Sequence, residues 1–190
     1  MLGQSNRVKE KIRTGKPVFG VVCRTLSPAM VELIGLAGFD FVWIDMEHSS
    51  ADFGLVENLC RSADVTGMTS LVRVPDKNSS HVLRALEAGA GIVNVPQVES
   101  RAEAEEVVKA AKYFPIGERG YSSSSRGTVY GVGGSTEEVF AAANERTMTM
   151  VQIESSVAVE NAEEICGVDG LDIVFIGMGD LSQSMGCVGR

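Results

Sequence analysis

Two rhythms alternate along the chain. Short, almost wholly apolar runs read as strands buried on both faces: VFGVVCR (18–24), FDFVWID (39–45), TSLVRVP (69–75), GIVNVP (91–96), TMVQIE (149–154) and LDIVFIG (171–177). Between them, apolar residues recur at helical spacing, bounded by residues that start and stop helices. Ser5 is placed to cap a first helix that closes near Gly15. Ser27 caps a second, with Pro28 at its first position and Gly38 just past its end. Helices over 52–66 and 80–88 stop at Gly67 and Gly89. Ser100 with Glu103, and Ser135 with Glu138, have the spacing of a capping box, and the first opens a helix through Lys112. A helix over 156–166 completes the set.

Strands buried on both faces and joined by helical crossovers form parallel sheets. No Gly-x-Gly-x-x-Gly follows the first strand, so nothing favours a dinucleotide site in an open doubly wound sheet. The polar residues that break the apolar pattern sit at the ends of several different strands, where a (β/α)8 barrel builds its active site. The expected fold is therefore α/β, a TIM-type (β/α)8 barrel of which this chain supplies about six βα units. A full barrel takes eight units and typically about 250 residues. Residues 1–190 are read as a single barrel domain lacking the last two βα units, a fragment or a part of a longer protein.

Composition narrows the function. Apolar residues make up 44% of the 190, enough for one packed core. A net charge of −8 leaves no basic face for nucleic acid. No apolar run approaches the roughly 18 residues of a membrane span, and the polar opening MLGQSNRVKEKIRTG is not a signal peptide. Cys23, Cys60, Cys166 and Cys187 are scattered, with no Cys-x-x-Cys pair; this points to reduced thiols in the cytoplasm over a disulfide or zinc framework. On that reading the Asn78-Ser79-Ser80 sequon is accidental.

The strand ends carry the candidate chemistry. The second strand delivers Asp45, Glu47 and His48, one of only two histidines. The third holds Arg73 between two valines. A buried guanidinium needs an anionic partner, either a neighbouring carboxylate or the carboxylate or enolate oxygen of a substrate. Gln152 and Glu154 lie two apart in the fifth strand and share a face. Gly177, Gly179 and Asp180 follow the sixth. Glu154 and Asp180 could share a divalent cation of the Mg²⁺ or Mn²⁺ type, or Asp180 could cap a helix. Position alone leaves His48 open between a structural role and that of a base acting near neutral pH. His81, in the first turn of a helix, reads as a surface residue.

The segment over 113–135 has no apolar periodicity, and loops of that length are usually lids or binding loops. Its run Ser122–Ser125, with Arg119 and Arg126, offers hydrogen bonds over an anionic site, and its aromatic residues argue against a plain linker. None of the six lysines falls in an expected strand, so a Schiff-base mechanism inside the barrel has no candidate. Any carbon–carbon bond chemistry would then rely on a metal as electron sink.

Six segments, in order and in register, resemble the HpcH/HpaI aldolase family, the metal-dependent pyruvate aldolases of the phosphoenolpyruvate/pyruvate barrel superfamily: WIDMEH (43–48), LVRVP (71–75), LEAGAGIVNVPQVES (86–100), YFPIGERG (113–120), VQIES (151–155) and VFIGMGDLSQSMG (174–186). The resemblance implies reversible cleavage of a 4-hydroxy-2-oxoacid to pyruvate and an aldehyde. It implies a divalent metal, Mg²⁺, Mn²⁺ or Co²⁺, on Glu154 and Asp180. It makes His48 the base and Arg73 the partner of the enolate oxygen. Gln152 and the backbone around Gly179 and Asp180 would line the pyruvate pocket, and Glu87 would stand where an aspartate orients the histidine. The partners implied are oxoacid, pyruvate and aldehyde, with further copies of the chain in a homo-oligomer, a hexamer in this family. Two rivals stand beside this reading. One is a citrate synthase-like or macrophomate synthase-like condensing or decarboxylating enzyme on the same barrel. The other is a barrel fragment without catalysis.

Overall fold

In the computed structural model, which describes residues 5–188, six parallel strands form one sheet in chain order. They are β1 (Gly20–Val22), β2 (Phe41–Asp45), β3 (Thr69–Arg73), β4 (Ile92–Val95), β5 (Met148–Ile153) and β6 (Ile173–Ile176). The helices are α1 (Arg7–Arg13), α2 (Pro28–Leu36), α3 (Phe53–Val65), α4 (Ser79–Glu87), α5 (Arg101–Ala111), α6 (Thr136–Arg146), α7 (Ser156–Glu160), α8 (Ala162–Cys166) and α9 (Met178–Ser184). Every strand pairs with its successor through a helical crossover, the construction of a (β/α) barrel wall.

The helix signals act where the sequence puts them. Ser27 Oγ accepts the Met30 N–H at 3.4 Å, and Gly38, Gly67 and Gly89 take positive φ of 94°, 68° and 104° just past their helices. Ser135 and Glu138 form a complete capping box on α6.

Four expectations change. α1 is capped by Asn6 and not Ser5: Asn6 Oδ1 accepts the Lys9 N–H at 3.1 Å, while its Nδ2 donates to the Gly91 and Arg146 carbonyls at 3.0 Å. These long-range bonds decide the cap. The run 18–24 keeps only three strand residues, because β1 is an edge with one partner. The helix over 156–166 divides into α7 and α8 at Asn161, whose Nδ2 reaches the Glu99 carbonyl at 2.8 Å. The stretch after β6 forms α9, with Gly177 at the cap and Asp180 inside the first turn, so Asp180 is not a cap.

Alternation along the strands sorts the core into two. Val42, Ile44, Val72, Val93 and Val151 face outward and pack beneath the helices. Trp43, Leu71, Ile92, Met148 and Met150 face inward and meet Val8 of α1, which closes the floor of the barrel. Each such side chain contributes about 1.5–3 kcal/mol by burial. Two residues further along, each inward row turns polar: Asp45 above Trp43, Arg73 above Leu71, Asn94 above Ile92, and Gln152 above Met150. The apolar half of each row anchors the polar half.

Candidate active site

β2 and β3 build the first wall. Asp45 and Arg73 are register partners, and the guanidinium grips the carboxylate with two bonds, Nε to Oδ1 at 2.9 Å and Nη2 to Oδ2 at 2.6 Å. Asp45 Oδ1 also accepts the N–H groups of Glu47 at 3.0 Å and His48 at 3.3 Å, which turns the chain inward. Ser49 Oγ closes the turn on the Asp45 carbonyl. The third guanidinium nitrogen, Nη1, lies 3.0 Å from Glu47 Oε2, and the Trp43 ring lies 5.6 Å from the cation. His48 projects outward, its side chain 53% exposed, with Nε2 3.9 Å from Glu47 Oε2.

β4 and β5 build the second wall. Gln152, fully buried, donates from Nε2 to Glu154 Oε2 at 2.6 Å and accepts from Asn94 Nδ2 at 2.7 Å. The other Glu154 oxygen accepts the Gln97 N–H at 2.7 Å. Gln97 Nε2 extends across the mouth to Glu47 Oε1 at 3.4 Å. Gly177 leaves room for the Glu154 carboxylate: a Cβ there would collide with Oε2 and lie 2.8 Å from the Glu154 Cβ.

Charge is unevenly held. Burial pushes the Asp45 carboxyl up, but the Arg73 bonds and the two N–H groups outweigh it and hold the group below the usual carboxylate range. Glu47 goes the other way. Burial raises it, Arg73 and His48 counter only in part, and the charges of Glu154 and Asp45 add to the rise. Arg73 is held more firmly protonated than usual, because Asp45, Glu47 and Glu154 outweigh the cost of its burial. The site is thus a buried cation ringed by three acids, with more negative charge than Arg73 alone neutralises.

That surplus suits a divalent cation. Glu154 is 5% exposed, and each of its oxygens has spent one lone pair on an N–H and keeps another. Glu47 Oε2 is buried and ion-paired with Arg73 Nη1 at 3.0 Å, but receives no well-aligned hydrogen bond among the described residues. Asp180 stands exposed in the first turn of α9, and a Cβ added at Gly179 beside it would meet open space. Among the described residues no three His, Cys, Asp or Glu side chains converge on one point. A metal here would rest on two carboxylates and take its remaining oxygens from water and substrate, the habit of Mg²⁺ and Mn²⁺ and not of structural zinc.

The structure therefore gathers His48, Arg73, Gln152 and Glu154 at the strand ends. It treats Glu87 differently. Glu87, the last residue of α4, accepts from Arg119 Nη2 at 3.0 Å, and the carboxylate in ion-pair range of His48 is Glu47. The segment over 113–135 is also not a lid. Arg119 lies on the Tyr113 ring, Tyr113 stacks on Phe140 with centroids 4.2 Å apart, and Arg126 pairs with Asp64, so the loop is pinned to the outer helices. It forms a 3-10 turn over Arg126–Gly131. His81 is half-buried beside Asp76, with Nδ1 2.7 Å from Oδ1.

Asn94 and Gln97 join the site without having been singled out. Asn94 carries the signal that exposed Arg73, a polar residue in an apolar strand. Gln97 owes its place to a positive φ of 57°, which spacing does not reveal.

The profile of the HpcH/HpaI aldolase/citrate lyase family matches residues 20–190. The hydroxypyruvate/pyruvate aldolase of Paraburkholderia phytofirmans is 34% identical over 97% of this chain and 72% of its own. A solved HpcH/HpaI aldolase from Desulfitobacterium hafniense DCB-2 superposes with a TM-score of 0.88 at 33% identity, over 98% of this chain and 71% of that one. The citrate synthase SbnG superposes with a TM-score of 0.87 at 30% identity, over 98% and 71%. The chain spans 66% of the length of one curated relative and 72% of another. The chain belongs to the HpcH/HpaI aldolase/citrate lyase family.

Proposed function

We propose that the protein is a metal-dependent lyase that cleaves a 4-hydroxy-2-oxoacid reversibly to pyruvate and an aldehyde. The observation that carries this reading is the Arg73 guanidinium, buried and immobilised by Asp45, with Glu47, His48 and the buried Glu154 around it. Family membership and the aldolase relatives support it.

The residues divide the work. Glu154 and Asp180 would hold the cation, Mg²⁺, Mn²⁺ or Co²⁺, which when bound supplies positive charge for a 2-oxoacid and for the enolate. Gln152 and the backbone at Gly179 and Asp180 orient the substrate carboxylate. Gln152 also braces Glu154. The exposed imidazole of His48 takes the proton of the 4-hydroxyl, and Glu47 steadies the imidazolium. The C3–C4 bond breaks, the aldehyde leaves, and the electron pair passes to the C2 carbonyl oxygen. Arg73 is already fixed beside that developing charge, so little reorganisation is needed. Protonation at C3 then gives pyruvate. Glu87 acts at a distance in this scheme, by fixing Arg119.

Pyruvate release from 4-hydroxy-2-oxoacids by chelator-stripped protein, with and without Mg²⁺ or Mn²⁺, tests the reading. Release restored by metal in the wild type and not in Glu154→Ala is expected; no release by folded protein with any metal would sink it. The likeness to a citrate synthase favours one second reading, condensation onto oxaloacetate, which is tested separately by consumption of oxaloacetate without release of pyruvate. The proposal extends to a cytoplasmic homo-oligomer, a hexamer. Exposed Leu33, Leu36, Phe114 and Ile116 support self-association, and light scattering tests it. Among the described residues no helix is long and apolar enough to cross a membrane.

A further inference from the structure

Gln97 stands out among the mouth residues. Its side chain is exposed, yet both of its nitrogens are engaged with acids: the backbone N–H with Glu154 at 2.7 Å and Nε2 with Glu47 at 3.4 Å. Those two carboxylates repel each other, since the Glu154 charge helps raise Glu47. The residue occupies the left-handed region at φ 57°, a conformation that L side chains other than Asn and Asp seldom take. Neighbouring groups help to hold it there: Val98 N–H returns to the Gln152 carbonyl at 3.2 Å, and Pro96 is buried. A right-handed or extended backbone at this position would turn the N–H away from Glu154. A glycine would keep the N–H in place but would leave Glu47 held by Arg73 alone.

We propose that Gln97 is a positioning residue that spans the mouth and fixes the spacing between the carboxylate on the metal side, Glu154, and the carboxylate beside the base, Glu47. The main-chain half of this bridge sets Glu154, and the side-chain half sets Glu47 and, through it, His48. The left-handed backbone is what allows one residue to do both, and the two bonds in turn hold the unfavourable conformation. This role rests on the aldolase reading for its effect on turnover, but not for its effect on cation binding.

The halves separate by substitution. Gln97→Gly keeps the N–H and suits the left-handed backbone, and removes only the tether. Gln97→Ala removes the tether and keeps the strain, so the segment relaxes and the N–H leaves Glu154. Mn²⁺ binding, followed by the signal of free Mn²⁺ in electron paramagnetic resonance, should stay within about twofold of wild type in the glycine variant and weaken about fivefold in the alanine variant, in line with the cost of holding a non-glycine residue left-handed. In the pyruvate-release assay kcat should fall about tenfold in the glycine variant with KM moving less than threefold, as expected when the base is less well placed and substrate binding is unchanged. Circular dichroism establishes that both variants are folded. Equal Mn²⁺ affinity in the two variants, or wild-type kcat in the glycine variant, overturns the bridge. If the wild type releases no pyruvate, the aldolase reading fails alone, and the order of Mn²⁺ affinities still decides for or against Gln97. If the wild type binds no Mn²⁺, the proposal falls.

Discussion

Arg73 and Asp45 face each other across β2 and β3 as register partners joined by two parallel hydrogen bonds, with Asp45 Oδ1 also tying down the chain that carries Glu47 and His48. A pair so placed joins the two strands and orders the turn that carries Glu47 and His48. Asp45→Asn would leave a buried guanidinium with Glu47 as its remaining partner, and breaking a buried pair in this way costs about 3 kcal/mol. Denaturant unfolding should show a lower midpoint with an unchanged slope, and kcat should fall with it.

Arg73→Lys keeps the charge and loses the fork. Lysine is a point charge and cannot hold both Asp45 oxygens while facing Glu47. The expected outcome is a folded protein whose kcat drops by about 100-fold, in the range seen when one preorganised donor to an oxyanion is removed. Steady-state pyruvate release with unchanged Mn²⁺ binding would check it.

Gly177→Ala probes the space around Glu154. The backbone there, at φ −81°, suits any residue, so the substitution acts only through its Cβ, which would displace the Glu154 carboxylate. Mn²⁺ affinity and pyruvate release should both fall by at least tenfold, equivalent to about 1.4 kcal/mol, while circular dichroism stays that of the wild type.

Glu47 and Asp45 give opposite pH signatures. Asp45 is held low, so its stabilising contribution is full above the ordinary carboxylate range and is lost as pH falls through its depressed value. Glu47 is held high, so folding favours its protonated form and stability drains away as pH rises from the ordinary range through the raised value. Glu47→Gln removes only the second effect. In chelator-treated protein the Tm of the variant minus that of the wild type should become more positive as pH rises above the ordinary carboxylate range.

The thiols should divide by burial. Cys60 is fully enclosed, and burial drives its pKa up to about 12; Cys23 is also buried. Cys166 is exposed and Cys187 partly so. A thiol reagent added to native protein should titrate Cys166 and Cys187 only, and all four after denaturation.

Much of this was legible in the chain itself. The apolar runs gave every strand, because strands buried on both faces need little else to declare themselves. Arg73, Gln152 and Glu154 announced themselves as polar intrusions at strand ends, and His48 as an imidazole beside acids. Long-range partners were not legible. Asn6 took the cap from Ser5 because of carbonyls contributed by Gly91 and Arg146. Glu87 turned to Arg119, from a loop whose aromatic anchors lie on α6 and in the loop itself. Gln97 depends on a backbone conformation for which no residue type in its neighbourhood gives a cue.

The order in which the strands pair has a consequence for how the pocket comes into being. Leu71 meets Ile92 across one short crossover, whereas Ile92 meets Met148 across more than twice as much chain, the excursion through the pinned loop included. Each doubling of a closed loop adds about 0.6 kcal/mol of lost chain entropy. β2, β3 and β4, which carry Asp45, Arg73 and Asn94, can therefore pair early, while Gln152 and Glu154 arrive by the most expensive closure in the sheet. The half of the site proposed to handle protons and the enolate is assembled from local folding. The half that would receive the cation waits on the Tyr113–Phe140 stack, far from the mouth, to bring the chain back.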